Sequence, residues 1–120
     1  MKRDYRLYIE DILEAMNHIK TFTDQMDYED FVKDVKTVYA VTRAVEIIGE
    51  GVKNIPTSIR DHYPTVPWRE MAGMRDKLAH EYFGVNLKVL WDTVKSAIPI
   101  VKPFFQQIMQ EINDTSSKEE

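Results

Sequence analysis

A chain of 120 residues, 43% apolar and 30% charged, has the size and make-up of one globular domain around a single core. The lack of cysteine excludes disulfides, thiolate zinc sites and cysteine nucleophiles, and it fits a reducing, cytoplasmic setting. A net charge of −4 argues against a nonspecific nucleic-acid binder, which is usually basic.

Four segments carry the helical apolar period and none carries the alternation of a strand. In the first, over about residues 4–20, Tyr5, Ile9, Ile12, Leu13, Met16 and Ile19 form one stripe, with Asp4 as the expected N-cap. The second, about 28–54, reads as one long helix that is apolar almost all round. Phe31, Val35, Val38, Val41, Val45, Ile48 and Val52 fall on one side, and Ala40, Ala44, Ile47 and Gly51 on the other. Such a helix is expected to be packed on both sides. Residues 55–66, with Pro56 and Pro64, leave room for one short helical turn. The third helix opens at Pro67, a residue suited to the first helical position, and runs to about Phe83, with Gly84 as a left-handed C-cap.

The fourth helix starts after Asn86 and carries Leu87, Leu90, Trp91, Val94, Ile98, Val101, Phe105, Ile108 and Ile112 at helical spacing. Pro99 and Pro103 lie inside it and predict a kink or break. Residues 113–120 are polar and are expected to form a disordered tail behind a domain spanning 1–112. That end carries most of the charge. Glu111, Asp114, Glu119 and Glu120 against Lys118 give −3 for residues 111–120, leaving −1 of the −4 for residues 1–110. Any contact with a nucleic acid must then be local. The start, Met-Lys-Arg-Asp-Tyr-Arg, has no apolar stretch behind it, and no run approaches the roughly 18 residues of a span, so neither signal peptide nor membrane helix is expected. The fold class is all-α, an antiparallel four-helix bundle with a short extra turn and a kinked last helix.

The third helix holds the residues most able to do chemistry. With Arg75 at zero on its wheel, Tyr82 falls about 20° away, Met71 and Ala79 about 40°, and Ala72 and Leu78 about 60°. Arg75 therefore stands in the middle of the apolar stripe. A guanidinium cannot shed its charge, so something anionic must meet it, a protein carboxylate or a phosphate. His80 lies about 140° round, with Asp76 one turn behind it, where a carboxylate can orient the imidazole and favour its protonated form. Taken singly these residues have ordinary explanations: a structural ion pair, a histidine at a helix C-terminus, a core aromatic. It is their convergence within eight residues that marks a site. On the second helix Tyr39, Arg43, Glu46 and Glu50 cluster within about 60°. They form either a solvated strip with a weak Arg43–Glu46 pair or the facing wall of a cleft. His18 and His62 show no ligand spacing with His80, so no metal is expected.

The run Arg75-Asp76…His80-Glu81-Tyr82 resembles the Arg-X4-His-X-Tyr motif of HepT-like toxins in the HEPN superfamily. The approach Val66-Pro67-Trp68-Arg69-Glu70-Met71-Ala72-Gly73-Met74 is similar to that family's, as is the exit Phe83-Gly84-Val85-Asn86 with Leu90-Trp91. Arg43-Ala44-Val45-Glu46-Ile47-Ile48-Gly49-Glu50 is similar to its second helix, and the resemblance covers about residues 4–112. Asp76 departs from it, since the family more often has asparagine there.

This resemblance implies a homodimer in which two motifs face each other and form one composite ribonuclease site that uses no metal or other cofactor. Arg75 and His80 would be catalytic, supported by Asp76, Arg43, Glu46 and Glu50. It also implies a partner, a minimal nucleotidyltransferase antitoxin of the MntA-like type, that silences the toxin by transferring AMP to Tyr82. Residue chemistry is compatible with that activity. RNA brings its own nucleophile in the 2′-hydroxyl, histidine titrates near neutrality, and a forked guanidinium holds phosphate. The alternative is a non-catalytic HEPN module that binds nucleotide or docks the nucleotidyltransferase, which the weak net charge and Asp76 favour.

Overall fold

The apolar stripes become helices in chain order, and their caps are those the sequence provides. In the computed structural model, which describes residues 3–80 and 86–119 with side chains over 3–74 and 86–115, α1 spans Tyr5–Phe22. The Asp4 carboxylate caps it by accepting from the Arg6 N–H at 2.9 Å. Ile9, Ile12, Ala15, Met16 and Ile19 are its buried side.

The long second helix is two. α2 covers Tyr28–Lys33 and α3 covers Val35–Lys53, divided at Asp34. The reason is capping. Asp27 and Asp30 form a reciprocal capping box at the start of α2, and the Asp34 carboxylate accepts from the Thr37 N–H at 3.0 Å to start α3. Asp34 thereby ends one helix and begins the next. The change of direction turns Val35 out to solvent, where it is 63% exposed, although its place in the apolar period predicts burial.

α3 packs against both α1 and α5, as its two apolar sides require. Its contact with α1 is close at Gly51, where an added Cβ would lie 2.7 Å from Ile12 Cγ1. The expected short turn is α4, Thr57–Arg60. From it the Arg60 guanidinium donates to the carbonyls of Ile55, Val52 and Lys53 at 2.9, 2.8 and 3.1 Å, closing the C-terminal end of α3.

α5 covers Trp68–His80, so Pro67 stands just before it, and its carbonyl accepts from Met71 N–H at 3.0 Å. The expected end at Phe83 and the Gly84 cap lie outside the described residues. α6, Leu87–Asp92, is capped by Asn86, whose side chain accepts from Lys88 and Val89 N–H at 3.0 and 3.2 Å. The irregularity foreseen at the prolines takes the form of a π-helical turn at Thr93–Ala97, closed by Ile98 N–H to Thr93 C=O. It precedes Pro99, which has no N–H to give to the carbonyl of Lys95 and whose ring crowds it; a widened turn accommodates that. α7, Ile98–Glu119, then carries Pro103 within it and continues as helix through 113–119, where polarity alone predicts an unstructured tail.

The result is an all-α bundle whose principal members are α1, α3, α5 and α7. Its core includes Phe31, Val41, Val52, Trp91, Phe105 and Ile108, and Trp68 meets Phe105 edge-on at 5.5 Å between ring centres. No helix among the described residues is long and apolar enough to cross a membrane.

Candidate functional site

The motif residues up to His80 lie on one helix. α5 is anchored at its start by Trp68, which is buried and donates its indole N–H to the Tyr63 carbonyl at 3.0 Å. Arg75 stands seven residues further on, which returns a helix to within about 20° of the same line. The Arg75 position therefore shares a register with a residue packed into the core. Seven residues before His80 stands Gly73, on an open side of α5: a Cβ built there would meet nothing within 4 Å among the described residues. The backbone thus carries the Arg75 line along the packed side of α5 and the His80 line along an open one. The side chains of Arg75, Asp76 and His80, and all of Tyr82, lie outside the described residues.

On α3 the strip from Val35 through Tyr39 to Arg43 faces outward, with Val35 63% and Tyr39 59% exposed. Arg43 reaches Glu46 at 3.3 Å, but the Arg43 side chain is 71% exposed, so the pair is worth a few tenths of a kcal/mol, about the value of a solvated i,i+3 pair. Arg43, Glu46 and Glu50 also line a groove of about 370 Å³ between α1 and α3. Facing them are Tyr8 and the pair Arg3–Asp11, joined at 2.6 Å. Arg3 stacks over the Tyr8 ring at 4.7 Å, and its hydrogen bond to Asp11 holds its guanidinium more firmly protonated than usual. The structure therefore brings Arg43, Glu46 and Glu50 together with residues of α1. Sequence spacing could not suggest this grouping, because Arg3 precedes α1 and Asp11 lies on it, a segment away from α3.

A cavity of about 730 Å³ is at the end of the bundle where α5 begins, bounded by Tyr5, Arg6, His62, Tyr63, Phe104 and Glu111. His80 is the last described residue of α5, so this cavity sits at the opposite end of that helix from it. Among the described residues no group of three or more histidine, aspartate or glutamate side chains is arranged to hold a metal ion.

Comparison with known proteins identifies the lineage. The family model described as "Ribonuclease HepT-like" matches residues 12–108. The chain belongs to the HepT-like ribonuclease family. This HepT-like chain is 54% identical, over 90% of its length and 98% of the relative's, to a Thermococcus cleftensis protein named "Probable ribonuclease HepT". Two Methanocaldococcus jannaschii proteins, both provisionally named as RNases, are 49% and 47% identical to it. The alignments cover 92% and 94% of this chain and 92% and 97% of theirs. No solved structure matches the HepT-like chain significantly. The family match spans α5 whole and both of its flanks, so the motif helix belongs to the shared part of the fold.

Proposed function

We propose that this protein is a metal-independent endoribonuclease that works as a homodimer, with Arg75 and His80 as its catalytic residues. The observation that carries the reading is the placement of both on α5, inside a match that spans residues 12–108 of a family described as ribonucleases. In the reaction the 2′-oxygen of RNA attacks the adjacent phosphorus and the 5′-oxygen leaves. His80 takes the 2′-hydroxyl proton and, as the imidazolium so formed, gives a proton to the leaving 5′-oxygen. Arg75 holds the phosphoryl oxygens and stabilises the charge that builds on them. Asp76 favours the protonated imidazole, and Arg43, Glu46 and Glu50 support the site from α3. No metal-bound water is needed, because the nucleophile is part of the substrate.

The same reading makes the protein the toxin of a toxin–antitoxin pair in the cytoplasm. Its partner is a minimal nucleotidyltransferase that transfers AMP from ATP to the Tyr82 hydroxyl, releasing pyrophosphate. An anionic adduct on Tyr82, which the helical period of the sequence sets about 20° from Arg75, would occupy the arginine and block RNA.

Incubating the purified protein with RNA in the presence of a chelator tests the activity. Cleavage is expected, and Arg75→Ala and His80→Ala are each expected to abolish it while leaving the helical circular dichroism unchanged. Cleavage retained by either folded variant overturns the assignment. No cleavage by the wild type, with tight binding to the nucleotidyltransferase, favours the non-catalytic module. For the modification, intact-mass spectrometry should show added AMP on the wild type and none on Tyr82→Phe.

A further inference from the structure

A ribonuclease whose first 110 residues carry a net charge near zero needs a local place to hold a polyanion. We propose that the groove between α1 and the π-turn/α7 junction is that place, an RNA-backbone site built from Lys20, Lys95 and Lys102. The inference rests on the ribonuclease reading for the identity of the polyanion, but not for the groove itself.

The groove has a volume of about 360 Å³. Its floor is apolar, made of Met16, Ile19, Val94 and Ile98, all buried. Three lysines stand on its walls and no carboxylate lines it among the described residues. Several cations elsewhere on the protein have a carboxylate close by: Arg3 meets Asp11, Arg43 meets Glu46 and Lys88 meets Asp92. Asp24, four residues past Lys20, follows the end of α1 and does not line the groove, and on the other wall helix register keeps acids out. One turn to either side of Lys102 stand Ile98 and Gln106, and one turn to either side of Lys95 stand Trp91 and Pro99. Asp92, three residues before Lys95, is turned to Lys88 at 3.3 Å.

Lys95 is held in place. Its ammonium donates to the Thr23 carbonyl at 3.2 Å and lies 4.8 Å over the Trp91 ring, contacts that leave its charge uncompensated. A lysine fixed in this way loses less side-chain freedom on meeting a phosphate than a free one does. It also sits on the π-helical turn, a distortion that proteins often retain at working sites. A cationic rim over an apolar floor suits a nucleic-acid strand, with phosphates at the lysines and sugar edges on the floor. The groove connects to the motif through the chain itself. α6 begins within seven residues of His80, and Lys95 lies nine residues past Asn86, roughly 14 Å along the helix.

The test measures binding of a fluorescently labelled single-stranded RNA to the full chain carrying His80→Ala, so that the strand stays whole. Adding Lys20→Gln with Lys102→Gln should weaken binding about tenfold at 0.1 M salt and reduce the slope of log K against log[salt] by about 1.4, two phosphate contacts at ~0.7 each. The double variant Lys20→Arg with Lys102→Arg should bind as the parent does, which separates charge from folding. Lys33→Gln with Lys36→Gln, the same charge loss outside the groove, should change affinity less than twofold. Groove and control variants with equal affinities and slopes overturn the proposal, as does a parent that binds no RNA. Cleavage by the wild type is scored separately. Weakened binding without any wild-type cleavage would leave the groove standing and remove the ribonuclease reading. Wild-type cleavage with unaltered binding by the groove variant would do the reverse.

Discussion

Substituting alanine at two glycines on packed helices should change stability in opposite directions. At Gly51 a Cβ would lie 2.7 Å from Ile12 Cγ1, 3.1 Å from Ile12 Cδ1 and 3.4 Å from the Tyr8 carbonyl oxygen. Ile12 is fully buried, so its stem cannot swing away, and α1 and α3 would have to part. Overpacking of this kind costs about 1–3 kcal/mol. Replacing a mid-helix glycine by alanine returns about 1 kcal/mol of helix propensity. Gly51→Ala should therefore lose roughly 1 kcal/mol net, about 4 °C in Tm for a domain of this size. At Gly73 nothing among the described residues lies within 4 Å of the added carbon, so Gly73→Ala keeps the propensity gain of about 1 kcal/mol without the clash. Urea melts followed by circular dichroism at one fixed protein concentration would compare them. In an Ile12→Ala background the penalty at Gly51 should vanish, because the obstructing Cγ1 and Cδ1 are gone. Stabilisation by Gly51→Ala in the wild type would refute the close α1–α3 approach.

Two further expectations concern the caps. The Asp34 carboxyl is held below the usual carboxylate range, chiefly by the Thr37 backbone N–H, so the unfolded chain takes up this proton at higher pH than the folded one. The stability it contributes is complete above the ordinary carboxylate pKa and is lost as pH falls through its lower folded value; Asp34→Asn should flatten the dependence of urea midpoints on pH in that acid window, and an unchanged slope would contradict the account. Asn86→Ala removes the acceptor for two N–H groups at the start of α6 and should cost about 1 kcal/mol in the same melts, with no loss counting against the cap.

Much of the bundle was legible because local chemistry and packing agree in it. Asp4 and Asn86 cap where their side chains predict, and the buried residues from Leu90 to Ile108 are those of the apolar period. The break at Asp34 is hidden in the pattern, because Phe31, Val35 and Val38 carry the period across it. The signal against continuity was there in Asp27 with Asp30 and in Asp34 with Thr37, two cap patterns within one apparent helix. Pro99 gave the presence of an irregularity but not its form, since a proline's missing donor can be met by a kink, a break or a π turn. The lysine groove was illegible for a different reason. Lys20 and Lys95 are 75 residues apart, and only the antiparallel packing of α1 on α7 gathers them. The motif, by contrast, was visible because its residues lie within eight positions of each other.

That compactness creates a geometric problem which a second copy of the chain would solve. Arg75 and His80 are about 140° apart around α5, so one helix does not direct both positions at one phosphate. The register against Trp68 and Gly73 sharpens the conflict, since one line runs along the packed side and the other along the open side. If the arginine of one copy works with the histidine of the other, two dead variants should rescue each other. Mixed under conditions of subunit exchange, Arg75→Ala and His80→Ala form heterodimers in which one arginine–histidine pair is intact and the other lacks both members. Random mixing makes half the dimers mixed, each with one of two pairs, so RNA cleavage should return to about a quarter of the wild-type rate. If both residues of one chain serve the same phosphate, every pair in the mixture lacks one member and nothing returns. Mass spectrometry of the intact dimers verifies exchange, and exchanged heterodimers that cut no RNA would refute pairing across the two copies.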